Sequence, residues 1–325
     1  MEKQEKETLL RKPEWLRLKP CNAPHYANVS HIVKDHALHT ICASGRCPNQ
    51  NECWSRGTAT FMVMGDICTR SCKFCATTTG KPLPLNPKEP ENVAESIHLM
   101  GLKHCVFTSV DRDDLPDAGA EHWAKIVTAI REKNPDTTIE LLIPDFDGRE
   151  ELIDGVINAK PDIIGHNIET CRSMTPKVRS KATYDTSLKV LKHIADKGVI
   201  CKSGMMVGIG ETDDEVIETM KELRAAGCNI FTIGQYLRPT RAHYPVDRYV
   251  HPDTFEMYKQ KGLEMGFDYI ASAPMVRSSY LADKAVSAVR NRMKGYYNSD
   301  TFIAFPSNGG VKIRLSTDER QRIEK

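Results

Sequence analysis

The sequence has no long apolar run, no basic cluster and no apolar leader at its start. A membrane-spanning helix needs roughly 18 consecutive apolar residues, so we expect no membrane insertion. The formal net charge of the 325 residues is only +2, and nucleic acid prefers a clustered basic surface, so we expect no nucleic-acid partner. The first residues, MEKQEKETLLRKPEW, are charged, whereas a secretory signal has an apolar segment. We therefore predict that the chain resides in a reducing compartment, the cytoplasm.

Six of the eleven cysteines form two short groups, and neither group has a fourth cysteine nearby. The members of the first triplet are Cys42, Cys47 and Cys53, and those of the second triplet are Cys68, Cys72 and Cys75. Three soft ligands can hold a metal centre but leave one coordination position open, as in catalytic zinc sites with three protein ligands. The pattern therefore predicts two metal centres, at least one of them reactive.

The residues alone leave four interpretations of the two triplets open. Disulfide scaffolds are usually short secreted chains with a signal peptide. A structural zinc site normally has four ligands in paired C-x2-C knuckles, although His31, His36 and His39 precede the first triplet and could complete one. Unligated thiols are a third interpretation. Iron–sulfur clusters, which are held by thiolates at short spacings, account best for both triplets.

Short apolar runs alternate with segments of helical spacing along the middle of the chain. The runs are 61–64, 104–110, 139–143, 162–168, 199–207, 230–237 and 269–275. Between them, helices are predicted at 184–195 and 213–226, the second with a capping box of Thr212 and Glu215. Alternating strands and helices form a parallel sheet, so we predict an α/β fold with a partial barrel. The second triplet follows the first predicted strand, at the end where barrel enzymes place their catalytic residues.

Several segments resemble a known family. The second triplet, with Phe74 before its third cysteine, resembles the cluster loop of radical S-adenosylmethionine (SAM) enzymes. The wider sequence resembles the lipoyl synthases, from KPEWLR at 12–17 to RSSY at 277–280. The matching segments are CASGRCPNQNECW, GTATFMVMGDICTRSCKFC, TSVDRDDLPDAGAEHWA, LLIPDFDG, HNIETC, KSGMMVGIGE, TIGQYLRPT and RSSY. The resemblance implies a partial (β/α)6-type radical SAM barrel with N-terminal and C-terminal extensions.

The resemblance also implies two 4Fe–4S clusters and SAM as cofactors. The second triplet would hold a cluster whose open iron binds the amino and carboxylate groups of SAM. Reduction of that cluster cleaves SAM to methionine and a 5′-deoxyadenosyl radical. The first triplet would hold an auxiliary cluster that donates sulfur. Ser279 would close the fourth iron of the auxiliary cluster, with Ser278 as the alternative, and Arg277 would favour the anionic serine oxygen or fix its orientation.

Further residues are expected to contact SAM on the strength of the same resemblance. Asn167 and Glu169 are suited to the ribose hydroxyls, and Arg179 to the carboxylate, which a guanidinium matches with two hydrogen bonds. Phe74 is assigned to the same site, and the glycine-containing run 207–210 to the adenine. Taken without the family, Asn167 and Glu169 could cap a turn, Arg179 could be a solvated surface residue, and 207–210 could be a tight turn.

The activity that the resemblance implies is that of a radical SAM sulfurtransferase. Two sulfur atoms would enter an octanoyl chain attached to a lysine of a lipoyl carrier domain. The implied partners are the acyltransferase subunits of 2-oxoacid dehydrogenases, the glycine-cleavage carrier protein and a low-potential electron donor. A saturated C–H bond has neither an acidic proton nor a leaving group, so a radical-generating cofactor must supply the difficult step.

Two rival functions stay open. A two-cluster electron carrier would usually hold each cluster with four cysteines and has no need of a barrel. Another radical SAM enzyme with an auxiliary cluster, a methylthiotransferase or a biotin synthase-like enzyme, would place its extra cysteines elsewhere. We therefore divide the chain into an N-terminal extension (1–60) with the first triplet, a barrel (61–281) that ends in RSSY, and a C-terminal extension (282–325). The sequence predicts no role for the C-terminal extension.

Overall fold

The computed structural model describes residues 10–17, 25–36, 38–55, 59–280, 282 and 284–289. The strands are β1 (His39–Thr40), β2 (Thr60–Val63), β3 (Ile67–Cys68), β4 (Thr78–Thr79), β5 (His104–Ser109), β6 (Thr138–Leu142), β7 (Ile163–Gly165), β8 (Ile200–Val207), β9 (Ile230–Gln235) and β10 (Tyr269–Ser272). The helices are α1 (His25–Asp35), α2 (Ile41–Ser44), α3 (Gln50–Ser55), α4 (Glu89–Met100), α5 (Ala120–Lys133), α6 (Glu150–Asn158), α7 (Thr175–Val178), α8 (Tyr184–Asp196), α9 (Asp213–Ala225) and α10 (Pro252–Glu264). Two 3₁₀ turns lie at Glu14–Leu16 and Phe146–Gly148.

Eight of these strands form one sheet in the order β1-β2-β5-β6-β7-β8-β9-β10. All neighbouring strands run parallel except β1, which pairs antiparallel with β2. The chain after β10 returns to the opposite edge of the sheet, since Thr60 at the start of β2 donates a hydrogen bond to Ser279 (Oγ1 to Oγ, 2.8 Å). The sheet is therefore curved and open, and the predicted α/β fold with a partial barrel is confirmed.

Each of the seven apolar runs in the sequence is a strand of this sheet, although most strands are one or more residues shorter than predicted. Both predicted helices are present as α8 and α9. The capping box of α9 is also confirmed, since the side chains of Thr212 and Glu215 each accept a hydrogen bond from the other's backbone amide. Gly198 and Gly227 follow these helices with left-handed φ angles of 76° and 92°, a conformation in which glycine commonly ends a helix.

Cysteines outside the triplets behave mostly as small apolar side chains. Cys105, Cys201 and Cys228 are fully buried, and Cys171 is buried as well. Cys21 lies outside the described residues. A separate apolar cluster joins Ile163 of β7 and Ile230 of β9 to the helical segment 284–289, through Ala285, Val286 and Val289. Among the described residues, no helix combines the length and the apolar character that crossing a membrane requires.

A buried ion pair links two strands of the sheet. Lys202 of β8 donates to Glu140 of β6 (Nζ to Oε1, 2.5 Å), and His104 of β5 approaches the other carboxylate oxygen at 3.5 Å. Burial raises the pKa of Glu140, but the charge of Lys202 and the contact with His104 outweigh it, so the net pKa lies below its usual value. Glu140 is therefore ionised in the folded protein and depends on its cationic neighbour.

Replacement of Lys202 by methionine should destabilise the fold strongly, because it leaves a buried carboxylate without its partner. We expect a loss of about 3–5 kcal/mol in the free energy of unfolding, measured by urea denaturation. The double variant Lys202→Met/Glu140→Leu removes both charges and should recover most of that loss. Equal losses in the single and double variants would contradict this account of the pair.

Candidate active site

The second triplet lies beyond the C-terminal end of β2. Cys68 ends β3, and Cys72 and Cys75 follow in the loop before β4. The backbone amides of Arg70 and Asp111 each lie 3.4 Å from the sulfur of Cys68 and donate to it. The two amide donors stabilise a thiolate, whereas the Asp111 carboxylate, 3.6 Å from the same sulfur, opposes it.

Three contacts hold the loop of the second triplet, which we call the cluster loop (residues 68–75). Lys73 donates its amide to the carbonyl of Val178 (2.7 Å) and accepts from the amide of Tyr244 (2.8 Å). An imidazole nitrogen of His243 lies 3.0 Å from the carbonyl oxygen of Cys75. The loop is thus fixed to the segments that follow β7 and β9.

Arg70 anchors the cluster loop from within. Its buried guanidinium contacts four carboxylates, which belong to segments that follow β5 and β6. They are Asp111 (3.4 Å), Asp113 (2.8 Å), Asp145 (2.9 Å) and Asp147 (3.4 Å). Sequence reasoning missed this network, although the matching segments TSVDRDD and LLIPDFDG carried its signal, acidic residues directly after two predicted strands.

Burial governs the protonation of Cys68 and Cys75. It raises the pKa of Cys68 to about 12, with the charge of Asp111 adding to the effect, and it also raises the pKa of Cys75. These thiols are therefore protonated near neutral pH when no metal is bound. Metal binding must displace their protons, so cluster assembly here is coupled to proton release.

Three residues expected to contact SAM come together beside this loop. Glu169 accepts a hydrogen bond from Asn167, and burial raises the pKa of the Glu169 carboxyl, while the positive charge of Arg179 opposes the rise. The charge of Glu169 also acts on Cys75. Asn167, Glu169 and Arg179 thus form one polar group next to the second triplet. Their contacts with SAM stay a prediction.

The strand before this group ends earlier than the sequence suggested. β7 stops at Gly165, whereas the apolar run predicted a strand through residue 168. The amide of Ile168 donates to the side-chain hydroxyl of Ser203 (3.1 Å), so the regular ladder is interrupted. Strand pairing resumes for one residue at Glu169, which has a positive φ of 68° and forms an isolated parallel bridge with Met205. Asn167 and Glu169 therefore meet through this irregular turn, and not through simple strand alternation.

Arg179 is held by a chain of buried polar groups. Its Nη1 donates to the hydroxyl of Ser187 (2.8 Å), which lies 3.0 Å from Nε2 of His166. The other ring nitrogen of His166, Nδ1, lies 3.0 Å from the carbonyl oxygen of Ile143. Burial lowers the pKa of His166 to about 4, and the charge of Arg179 contributes to the shift. His166 is therefore neutral near pH 7.

Phe74 of the cluster loop packs against an apolar cluster from the segments that follow β7, β8 and β9. Its neighbours there are Cys171, Met174, Val178, Ile209 and Tyr236. The expected adenine contact at 207–210 belongs to this region, but its glycines are explained by the turn itself. The amides of Gly208 and Ile209 donate to the Glu211 carboxylate, and a Cβ at Gly208 would lie 2.3 Å from the carbonyl oxygen of Arg248. The adenine contact stays a prediction.

The first triplet is built by two short helices before β2. Cys42 lies in α2, Cys53 in α3 and Cys47 in the turn between them. The side-chain amide of Asn49 donates to the carbonyl of Met275 (2.7 Å), and the Tyr280 hydroxyl donates to Glu52 (3.0 Å). These contacts join the first triplet to the chain that surrounds RSSY.

A cavity of about 920 Å³ extends from the first triplet to Phe74 of the cluster loop. The first triplet, Arg277, Ser278 and Ser279 line it on one side, and Phe74 of the cluster loop lies on its wall as well. Burial raises the pKa of Cys47, whereas the nearby Arg277 guanidinium lowers it. A cationic group beside a thiol favours the thiolate that a metal needs.

In neither triplet are the three sulfur atoms arranged to bind one metal ion. Within the described parts of the chain, no three His, Cys, Asp or Glu side chains are arranged to hold a single ion. An iron–sulfur cluster does not require that arrangement, because each thiolate binds a different iron. The residues present are therefore compatible with iron–sulfur clusters at both triplets. Each triplet supplies three thiols, the Cys68 sulfur accepts two amide hydrogen bonds, and the Arg277 guanidinium lies near Cys47.

The depressed pKa of His166 predicts a specific pH dependence of stability. Because His166 binds its proton more weakly in the folded chain, its contribution to stability is present above pH 6.5 and is lost as the pH falls towards 4. Between pH 7 and 5.5 the protein should lose about 1 kcal/mol of unfolding free energy that a His166→Leu variant does not lose. Urea denaturation of both proteins at each pH measures the difference. Parallel pH profiles would show that His166 is not the titrating group.

Comparisons with known proteins place the chain in a family. The model of the Radical SAM superfamily matches residues 62–223. The lipoyl synthase of Parabacteroides distasonis is 58% identical over 277 residues, which are 85% of this chain and 99% of that protein. The lipoyl synthase of Bacteroides thetaiotaomicron is 61% identical over 277 residues, with coverages of 85% and 98%.

Solved structures agree with the fold. SuiB of Streptococcus suis, bound to S-adenosylmethionine, superposes with a TM-score of 0.54 at 11% identity and covers 69% of this chain and 54% of its own. Methylornithine synthase superposes with a TM-score of 0.50 at 11% identity, with coverages of 84% and 94%. The structures support a radical SAM fold, and the identity to the curated relatives is decisive for the family. The chain belongs to the lipoyl synthase family of radical SAM enzymes.

Proposed function

We propose that this chain inserts two sulfur atoms into an octanoyl chain carried on a lysine of a lipoyl carrier domain. The observation that carries the proposal is the single cavity that joins the first triplet and RSSY to Phe74 of the cluster loop. Chemistry on an unactivated carbon chain needs a hydrogen-abstracting group and a sulfur donor within reach of the same substrate. A cavity that reaches from the first triplet to Phe74, the neighbour of Cys75, supports such an arrangement.

The two triplets have separate roles in this proposal. The second triplet holds the 4Fe–4S cluster that binds SAM, and the first triplet holds an auxiliary 4Fe–4S cluster with Ser279 as its fourth ligand. When bound, these groups supply hydrogen-atom abstraction and sulfur. The N-terminal extension (1–60) then serves to carry the auxiliary site, and the barrel (61–281) serves to bind SAM and to complete the auxiliary site through RSSY.

The chain's own residues bind and orient the cofactor and the substrate. Asn167 and Glu169 receive the ribose hydroxyls, and Arg179 receives the carboxylate of SAM. Arg277, whose positive charge offsets part of the rise that burial causes in the pKa of Cys47, favours anionic ligands at the auxiliary site. Phe74 lines the cavity beside the cluster loop.

Part of the cavity wall is apolar and suits a fatty acyl chain. Val106, Met206 and Leu237 are among the residues that line it. A lysine-linked chain enters from the surface of its carrier, so the carrier docks at the cavity mouth. The carriers we propose are acyltransferase subunits of 2-oxoacid dehydrogenases and the glycine-cleavage carrier protein, with a low-potential donor for the electrons. Free cysteines at both triplets are suited to the cytoplasm, where thiols stay reduced.

Separate replacement of the two triplets should divide the reaction into its parts. Alanine at all three positions of the second triplet should abolish SAM cleavage and leave about half of the iron and sulfide. Alanine at all three positions of the first triplet should leave a similar half and preserve SAM cleavage, but stop sulfur insertion. The assays are anaerobic iron and sulfide analysis, release of 5′-deoxyadenosine and mass spectrometry of an octanoylated carrier domain.

Cys105→Ala is the matched control, because Cys105 is buried behind the sheet. It should keep all of the iron and both activities. Lipoyl product from the variant without the first triplet would refute the auxiliary cluster as the sulfur donor. Zinc in place of iron in the reconstituted wild-type protein would refute both cluster assignments.

Replacement of Ser279 should separate cluster binding from turnover. Oxygen is a harder ligand than thiolate and suits a soft cluster poorly, so a serine-bound iron should leave readily. We expect Ser279→Ala to keep most of the iron but to lose lipoyl product, and Ser279→Cys to keep the iron more firmly with poor turnover. Iron retention under a chelator and product formation measure the two effects. Activity lost in Ser278→Ala but kept in both Ser279 variants would move the role to Ser278.

A further inference from the structure

We infer that Ser187 and His166 are positioning residues that orient the Arg179 guanidinium towards the carboxylate of SAM. The inference rests on the proposed role of Arg179 as the carboxylate ligand. It adds two residues from separate elements, one in α8 and one directly after β7, that do not themselves contact the cofactor. Both are buried, His166 with 3% and Ser187 with 0% of its surface exposed.

The polar chain has only one arrangement of its hydrogens. The carbonyl oxygen of Ile143 can only accept, so Nδ1 of His166 must donate to it across 3.0 Å. In a neutral imidazole the other nitrogen, Nε2, is then an acceptor. The single hydrogen of the Ser187 hydroxyl must therefore point to Nε2, which lies 3.0 Å away. This leaves the lone pairs of the Ser187 oxygen to receive Nη1–H of Arg179 at 2.8 Å.

Because the direction of these hydrogen bonds is fixed, Nη1 of the Arg179 guanidinium is held in one position. Ser187 cannot turn its hydroxyl towards another acceptor without leaving Nε2 of His166 buried and unpaired, which costs free energy. The neutral state of His166 is maintained near pH 7, because burial lowers its pKa to about 4. The Ser187 hydroxyl therefore accepts the hydrogen bond from Nη1–H of Arg179.

The rest of the Arg179 guanidinium is prepared for an anion. Its Nε is buried and has no hydrogen-bond partner among the described residues. A buried donor without a partner is unfavourable unless a ligand supplies an acceptor. A carboxylate that binds a guanidinium with two parallel hydrogen bonds would supply acceptors in the required plane. Because Ser187 holds Nη1 of Arg179, the guanidinium keeps one orientation, and its unpaired Nε keeps one direction.

The bonding of Ser187 is unusual for a serine inside a helix. Such a hydroxyl commonly donates back to the carbonyl four residues earlier, and Ser96 in α4 does so, to Asn92 at 2.8 Å. Ser187 turns instead to His166 and Arg179. Ser96 is also fully buried, which makes Ser96→Ala a matched control for the loss of a buried helical hydroxyl.

The test compares SAM with decarboxylated SAM, which lacks only the carboxylate. Binding is measured by equilibrium dialysis to the anaerobic protein with both clusters in place and without a reductant, so no turnover occurs. Ser187→Ala should weaken binding of SAM by about tenfold and leave binding of decarboxylated SAM unchanged. His166→Leu, which removes the acceptor of the serine hydrogen, should have the same signature and serves if Ser187→Ala does not fold. Ser96→Ala should change neither affinity.

A double-variant cycle separates failure of the inference from failure of the proposed function. Arg179→Ala should reduce the preference for SAM over decarboxylated SAM to the part that the open iron of the cluster supplies, and adding Ser187→Ala to it should cause no further loss. If Arg179→Ala leaves that preference intact, Arg179 is not the carboxylate ligand and the positioning role falls with it. If Arg179→Ala reduces the preference but Ser187→Ala and His166→Leu do not, only the positioning role is overturned.

Discussion

The parallel register of the sheet is the constraint on which every part of the site depends. Because β2 and β5–β10 run in one direction, the segments that follow them emerge at one edge. The cluster loop follows β2, the acidic segments follow β5 and β6, and the Asn167–Glu169 turn follows β7. Residues separated by more than a hundred positions in the sequence are thus brought within hydrogen-bond distance. No local segment could gather this set by itself.

A network of ion pairs around Arg70 holds the cluster loop in place without a bound metal. Arg70 is buried among four aspartates, and Lys181 contacts two of them, Asp113 and Asp147. The hydrogen bond from Arg70 lowers the pKa of Asp113, whereas burial raises the pKa of Asp111. A buried charge that loses its partner is strongly destabilising. Much of what holds the loop is therefore this charge network, which does not use the thiols of its cysteines.

The sequence predicted those features that depend on local pattern. Strand runs and the capping box of Thr212 and Glu215 are visible in a few consecutive residues, and the cysteine triplets are recognisable from their spacing. Strand β1 has only two residues, too few for a periodic signal, and it was not predicted. The early end of β7 depends on the Ser203 hydroxyl, 35 positions away. The contacts of Arg70 reach up to 77 positions, and only the folded sheet reveals them.

The two triplets are held by different means, and this difference bears on how they share a substrate. The second triplet is fixed by the barrel, through Arg70 and the contacts of Lys73. The first triplet is built locally in α2 and α3 and is tied to the chain after β10 by Asn49 and Glu52. Each site can therefore keep its geometry independently of the other. The cavity that reaches from the first triplet to Phe74 of the cluster loop is a place where an acyl chain could approach both groups.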